Sequence, residues 1–381
     1  MVRVELTEGA FLKCPVCGLE CKRYDTQPER RWRHLDSCGF ATYLVASTPR
    51  IECEADGVRV VGLPWSEPHS RFTLDFERFA ILVVRMTKSQ VRSARILNLS
   101  PDQVHDIMGR AVARGLARRN EAQTIENLGI DEKSFQTNKR FATVLSDMDG
   151  GRVLDVCRDR SSEVVSELLR KTMTASQLRQ VKSVTMDMWD GFIKSAREVL
   201  PEADIVFDRF HIARYLNEAV DKTRIAENKR LVRQGNRSLT GSKFFWTSRL
   251  QSVHPRLMER YGHLLQASLE TAKAWALKEM FRGFFDQTQP AQAKAFFDQW
   301  EADVLESGNA PLKRVAKMLR RYFYGLLAYI THRTTNSRAE GTNAGIQEIK
   351  FIARGFRRFQ GFRTAILFFL GKLDLYPQKC L

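Results

Sequence analysis

The chain has 381 residues, 43% of them hydrophobic, with 61 Lys+Arg against 44 Asp+Glu and a formal net charge of +17. That length suggests two or three folded units, and that composition can bury a real core. No apolar run reaches the ~20 residues of a membrane span, and "MVRVELTEGAFLKCPVCG" lacks the apolar core of a signal peptide, so the sequence reads as a cytoplasmic protein.

Five of the seven cysteines fall in the first 53 residues: Cys14, Cys17, Cys21, Cys38 and Cys53. Without an export signal, such clustering points to a metal rather than to disulfides. The pieces "ATYLVAS" and "GVRVVGLP" are strand-like, and "PWSEPHS" (64–70), with its two prolines, reads as a linker. Helical periodicity then runs through "LDFERFAILVVRM", "SQVRSARILN" and "SPDQVHDIMGRAVARGL". Ser100 is placed to cap the last of these, with Pro101 at its first position. Short helices joined by tight turns resemble a helix-turn-helix unit, with a plain helical connector as the alternative.

From Ile125 the period changes to that of strands: "LGIDEKSF", "RFATVLSDMDGGRVLDVCRD", "VKSVTMDMWDG" and "ADIVFDRFHI". "DMDGGR" is placed as a hairpin turn. "SEVVSELLRKTM" and "GFIKSAREVLP" read as helices between the later strands, giving a mixed α/β layer. From Ile212 to about His332 the chain is helical. Residues 215–381 carry 28 Lys+Arg against 14 Asp+Glu, a surplus that suits a polyanion, nucleic acid first.

Three acids follow apolar strand residues: Asp131 after Ile130, Asp187 after Met186 and Asp208 after Phe207. Strand ends along one sheet edge bring distant residues together. Converging carboxylates repel unless a cation joins them, and oxygen-only ligands suit Mg²⁺ or Mn²⁺. Two such ions support phosphodiester hydrolysis and transfer. A further acid, Glu340, lies in "TTNSRAEGTNAGIQEIKFIARGFRRFQGF", on a helix that Asn336 or Ser337 would cap. Asn343 falls one turn later on the same face. The basic, aromatic stretch that follows, with Lys350, Arg354, Arg357 and Arg358, suits phosphate contacts, and Arg338 precedes it. Trp246 could stack on a distorted base or simply be core, and Trp189 could wall the acids or pack beneath them.

"GIDEKS", "VTMDMWDGF", "FDRFHIARYLNEAVDKTR" and "NSRAEGTNAGIQEIKFIARGFRRF" together resemble the transposases of bacterial insertion sequences in the ISL-three group, over nearly the whole chain. The resemblance implies a ribonuclease-H-like core with an Asp, Asp, Glu triad. On this chain the triad falls on Asp131, Asp187 and Glu340, holding two Mg²⁺ (or Mn²⁺) ions, with Glu132 as the near neighbour of the first position. The 153 positions from Asp187 to Glu340 leave room for a helical insertion. Asp208 and His211 match the family's D-x-x-H element and are expected to support the site or position DNA. The family also carries an amino-terminal zinc module. Its first half is "KCPVCG"; its second reads "ECEADG", with Asp56 where Cys or His is usual. The preferred zinc set is Cys14, Cys17, Cys53 and Asp56. A rival set uses His34 and Cys38, and a site without metal is the third reading.

The expected architecture is therefore multidomain α+β. A zinc-ribbon-like module (1–65) and a helix-turn-helix region (66–122) precede a ribonuclease-H-like core (123–214). An all-helical insertion (215–332) interrupts that core, and a last core segment with the basic tail follows (333–381). The implied activity is cleavage at terminal inverted repeats and strand transfer by in-line phosphoryl exchange, on DNA, as a homodimer or larger assembly by family inference. It would sit with the bacterial nucleoid, off the membrane. No G-x₄-G-K-[ST] loop is present for a nucleotide cofactor. The rival classes are a DNA-binding regulator with a degenerate core and a metal-dependent nuclease without strand transfer.

Overall fold

The computed structural model describes residues 1–7, 10–136, 140–333 and 336–378, with the side chains of 136, 140 and 336–340 outside the description. The chain divides into two compact units, 1–120 with 345–381, and 121–344. Among the described residues no helix is long and apolar enough to cross a membrane.

The first unit opens with β1 (Val2–Arg3), β2 (Leu12–Lys13), β3 (Glu20–Ser37), β4 (Phe40–Cys53) and β5 (Gly57–Val60), in the order β1-β4-β3-β2 with β5 on β4. β3 and β4 form a long antiparallel hairpin, from Lys22 opposite Glu52 to Ser37 opposite Phe40. Its two-residue tip is Cys38-Gly39, both at positive φ, the backbone that a twisted hairpin favours. "PWSEPHS" is packed rather than a free linker. Ser66 and Ser70 are buried; Ser66 donates to the Phe72 carbonyl, and Ser70 donates to Glu77 while accepting from the Phe72 N–H.

The stretch expected as helix-turn-helix folds as α1 (Leu74–Thr87), α2 (Gln90–Leu97) and α3 (Pro101–Ala117). Ser100 caps α3 as expected, in a reciprocal capping box with Gln103. Apolar stripes close the core through Ala80, Ile81 and Val84 of α1, Ala94 and Leu97 of α2, and Val104, Ile107 and Met108 of α3. Glu77, almost fully buried, is neutralised by Arg110 at 2.6 Å and Arg114 at 3.1 Å.

The second unit holds a five-stranded sheet: β6 (Asn127–Gln136), β7 (Arg140–Asp147), β8 (Arg152–Arg158), β9 (Ser183–Met186) and β10 (Asp204–Phe207), in the order β10-β9-β6-β7-β8. β6, β7 and β8 are an antiparallel meander, and β9 and β10 are parallel additions. The β7–β8 turn is the expected one. Asp147 accepts from the Gly150 N–H at 2.7 Å and from Arg152 at 3.0 Å. The helices α4 (Ser162–Thr172), α5 (Ala175–Gln180) and α6 (Asp190–Val199) make the crossovers. A meander followed by helix-linked parallel strands is the ribonuclease-H-like arrangement.

One expectation changes here. Asp131 does not end its strand, because β6 runs on to Gln136 against β7. What stops at Gly129 is the pairing of β6 with β9, so Asp131 stands just past the end of that ladder.

The helical part comprises α7 (Arg209–Arg233), α8 (Lys243–Thr247), α9 (Pro255–Tyr261), α10 (Glu270–Met280), α11 (Pro290–Glu306), α12 (Ala310–Arg321) and α13 (Phe323–His332). One continuous apolar core joins it to the sheet, from Leu128 and Val184 through Phe207 to Phe281, Phe297 and Trp300. Trp246 belongs to this core. It is fully buried, bonds Ser242 and meets Phe245 and Trp275 edge-on, so no base can reach it. Last come α14 (Asn336–Ile352) and α15 (Phe359–Leu370), and α15 packs on α3 in the first unit. The stretch 345–381, placed with the core on sequence, thus clusters with residues 1–120.

Gly325 lets α13 lie against β10. A methyl there would run into the Phe207 ring and come within 3.0 Å of the Ile205 carbonyl. Gly325→Ala is expected to destabilise the protein by about 1–3 kcal/mol, checked by urea denaturation against wild type.

Candidate active site and metal cluster

β6, β9 and β10 each deliver one carboxylate to the same place. Asp187 directly follows β9, and its Oδ1 accepts the Met188 N–H at 2.7 Å. Asp208 follows β10 and caps α7 through the Phe210 N–H at 2.8 Å. Asp131 faces them from β6. Its neighbour Glu132 points to the opposite face, as alternation along a strand requires, and is held by Arg160 at 2.6 Å. Arg160 in turn lies 4.0 Å over the ring of Trp189, which is 42% exposed.

His211, on the first turn of α7, stands among the three acids. Its Nε2 is 3.7 Å from Asp131 and 4.0 Å from Asp208, and its Nδ1 is 3.0 Å from Asp187. The Nδ1 contact lacks hydrogen-bond geometry, so the tie to Asp187 is mainly one of charge. Burial works against a charged ring, but the three carboxylates outweigh it and lift the imidazole pKa from 6.5 to about 9. Burial likewise raises the carboxyls, yet His211 and Lys133 bring Asp131 below its ordinary range. His211 and Arg214 do the same for Asp187.

Three groups that sequence reasoning did not single out complete the cluster. Lys133 sits 2.6 Å from Asp131, Arg214 is 3.1 Å from Asp187, and the Tyr215 hydroxyl donates to Asp187 at 3.3 Å. The signal for the last two was available: Arg214 and Tyr215 lie three and four positions past His211, one turn along the same helix face.

A cavity of ≈ 30 Å³ opens here, lined by Asp131, Asp187, Asp208 and His211, with Thr342 and Asn343 of α14 on its wall. Glu340 is in α14, one turn before Asn343, and its side chain and that of Arg338 lie outside the described residues. Arg354, Arg357 and Arg358 are exposed between α14 and α15, and Lys350 is half-buried near the end of α14. An oxygen-only donor set, converging at a void of about one ion's or one water's size, fits a hard divalent cation.

A second cluster forms in the β2–β3 and β4–β5 turns. The ligand atoms of Cys14, Cys17, Cys53 and Asp56 all lie within 4.8 Å of one another. Cys14 is 3.2 Å and Cys53 3.5 Å from Asp56 Oδ2, and Cys17 is 3.5 Å from Cys53. A tetrahedron with Zn–S bonds of about 2.3 Å has edges of about 3.8 Å, so these spacings suit zinc. Although the Leu19 backbone pulls the Cys17 thiol down, Asp56 and the neighbouring thiols push it up to about 12. The rival set does not assemble. His34 bonds Thr73 at 2.9 Å, far along β3, and Cys38 is at the hairpin tip.

Comparison with known proteins agrees with this layout. A model of the ISL3 DDE family, described as "Transposase", matches residues 128–366. The chain belongs to the ISL3 family of DDE transposases. A model described as "zinc-finger of transposase IS204/IS1001/IS1096/IS1165" matches residues 12–56 of the transposase, and "Helix-turn-helix domain of transposase family ISL3" matches residues 62–112. Its relatives include the transposase for insertion sequence element IS1001 of Bordetella parapertussis, 27% identical over 368 residues, covering 96% of this chain and 88% of the relative. The transposase for insertion sequence element IS1557 of Mycobacterium tuberculosis is 24% identical, covering 94% and 85%. A DDE transposase is an enzyme that cleaves and joins DNA, and this one carries helix-turn-helix and catalytic domains for that substrate.

His211 stands within 4.0 Å of all three acids, with Lys133 on Asp131 and Arg214 on Asp187 beside it. His211→Ala is expected to cost about 3 kcal/mol in chelator, with Mg²⁺ recovering part of the loss. Thermal denaturation with and without the ion checks both.

Proposed function

We propose that Asp131, Asp187 and Glu340 hold two Mg²⁺ (or Mn²⁺) ions, and that the transposase cuts at the terminal inverted repeats of its element and joins the ends to target DNA. The observation that carries this reading is the approach of Asp131 and Asp187, from strands 56 positions apart in sequence, to one imidazole ring at 3.7 and 3.0 Å. Support for Glu340 comes from Asn343, its neighbour one helical turn on, which walls the same cavity. When bound, the ions would polarise the attacking oxygen and neutralise charge on the leaving one.

The chain's own groups do the rest. Lys133, His211 and Arg214 keep the carboxylates ionised and aimed. Asp208 fixes the start of α7, and with it the position of His211. A strand lying across the cavity presents its phosphodiester to water. One P–O bond forms, one breaks, and a 3′-hydroxyl is released. That hydroxyl then attacks target DNA in the same sense. Each step exchanges one phosphodiester oxygen for another, so no ATP is consumed, and the protein's contribution is position and charge. The zinc module and helix-turn-helix region would read the end sequence. Lys350, Arg354, Arg357, Arg358 and Arg338 would bind phosphates, giving a steep salt dependence. Two ends cut together call for a homodimer or a larger assembly.

Asp187→Asn keeps the shape of the site and removes a ligand charge. It is expected to lower nicking of element-end DNA by at least about 100-fold while binding persists; nicking at the wild-type rate contradicts the assignment. For the zinc cluster, metal analysis of the purified protein is expected to find one zinc per chain. Cys53→Ser is expected to lose it and loosen the amino-terminal sheet, read by proteolysis of that module.

A further inference from the structure

A second cavity in the unit formed by 121–344 is far larger, at ≈ 710 Å³, and no step of the reaction above uses it. Its walls come from α7, α8, α10 and α13, together with Arg249 just past α8 and the 3₁₀ stretch Phe281–Asp286 that follows α10. The size is within the roughly 300–1,000 Å³ of small-ligand sites, far too small for a duplex and ample for one nucleotide.

Its chemistry is of two kinds. One is positive charge. Six Lys and Arg side chains line it against three carboxylates. Lys243 pairs with Asp221 at 3.2 Å and Lys278 with Glu279 at 3.0 Å. Arg209 and Arg249 face it with no carboxylate within ion-pair distance among the described residues. The other is aromatic surface. The Phe210 ring is 63% exposed, unusual for so apolar a group, and Phe285 carries the Arg209 guanidinium at 4.8 Å. One exposed ring, Phe210, beside guanidiniums outside any ion pair matches a flat base attached to an anionic phosphate. A bare anion would leave the exposed Phe210 ring unused, and a neutral apolar ligand would leave the arginines so.

Its place is equally telling. Arg214 lines this cavity and also touches Asp187. Phe210 directly precedes His211, and the two rings meet edge to face at 5.8 Å. The large cavity therefore begins where the carboxylate cluster ends.

We infer that this cavity receives a single nucleotide swung out of the DNA strand beside the scissile phosphate, its base on Phe210 and its phosphate near Arg209 and Arg249. Swinging a base out costs its stacking on neighbours, and ring stacking with charge pairing in the pocket returns it. The strand beside the extruded nucleotide would be held in one register over the carboxylates. The inference rests on the DNA-cleaving reading of the adjacent site, and its test separates the two.

The full-length Asp187→Asn protein is mixed with element-end duplex carrying 2-aminopurine at successive positions around the cleavage point, and fluorescence is read; wild-type protein is assayed for nicking on the same DNA. A several-fold rise at one position, lost in Phe210→Ala and in the Arg209→Ala, Arg249→Ala double variant, is the expected result. An abasic site at that position is expected to restore cutting by Phe210→Ala. If wild type cuts the DNA while the probe stays quenched at every position, or if Phe210→Ala gives an undiminished rise, the nucleotide pocket is overturned and the cleavage reading stands. If the rise appears and wild type does not cut, the cleavage reading fails and the pocket stands. A free nucleotide offers the same chemistry. Saturable binding of free deoxyadenosine monophosphate, with the duplex quenched throughout, would overturn the strand as its source.

Discussion

Like charges brought to one edge of a sheet repel, and everything around Asp131, Asp187 and Asp208 answers that repulsion. At separations of a few ångströms and partial burial, an uncompensated pair of carboxylates would shed charge by taking up a proton. Here they do not: Asp131 and Asp187 are held below their ordinary range because cations sit on them. Lys133, His211 and Arg214 occupy the positions from which charge must be neutralised. Such a site is stable only with cations in it, which is why it suits divalent ions and why it keeps side-chain cations in reserve.

The scaffold fixes this cluster from both sides. β9 and β10 lie side by side in parallel register, so Asp187 and Asp208 leave the sheet at the same level. α7 begins at the Asp208 cap and carries His211, Arg214 and Tyr215 on one face toward the acids. The same helix, 25 residues long in all, then runs on into the helical part. α13 returns to cover β10, with Gly325 against Phe207. The helical part and the sheet therefore share one core rather than forming a loosely attached module. The large cavity belongs to this shared construction, since its α7 wall continues from the carboxylate site.

Much of this was legible in the residues because local chemistry agreed with the fold. Ser100-Pro101 announced a helix start, "DMDGGR" a hairpin, and the acids after Met186 and Phe207 a site at strand ends. Asp131 was less legible: β6 continues past it along β7, and only the lost pairing with β9 marks the edge, which is a property of the sheet rather than of the strand. The long strand β3 was hidden because its sequence is polar, with Trp32 and Arg33 its buried residues, and its stability comes from pairing with β4. Trp246, read from the sequence as core or as a stacking surface, is core; composition alone cannot tell a buried ring from an exposed one. Phe210 is the reverse case, an unremarkable residue in "DRFH" whose ring is exposed by the helix that starts beside it. The Cys14, Cys17, Cys53 and Asp56 cluster was legible through the C-x₂-C pair and the family resemblance that pointed to Cys53 and Asp56, and the structure brings the four together.

The most direct test of the account is a count of divalent ions at the carboxylates. Mn²⁺ uptake by the full-length transposase, with element-end DNA present, can be followed by electron paramagnetic resonance in wild type and in Asp131→Asn, Asp187→Asn and Glu340→Gln. The account predicts that each variant binds fewer ions than wild type, with the amino-terminal zinc unchanged. Equal Mn²⁺ uptake in all four proteins would contradict it.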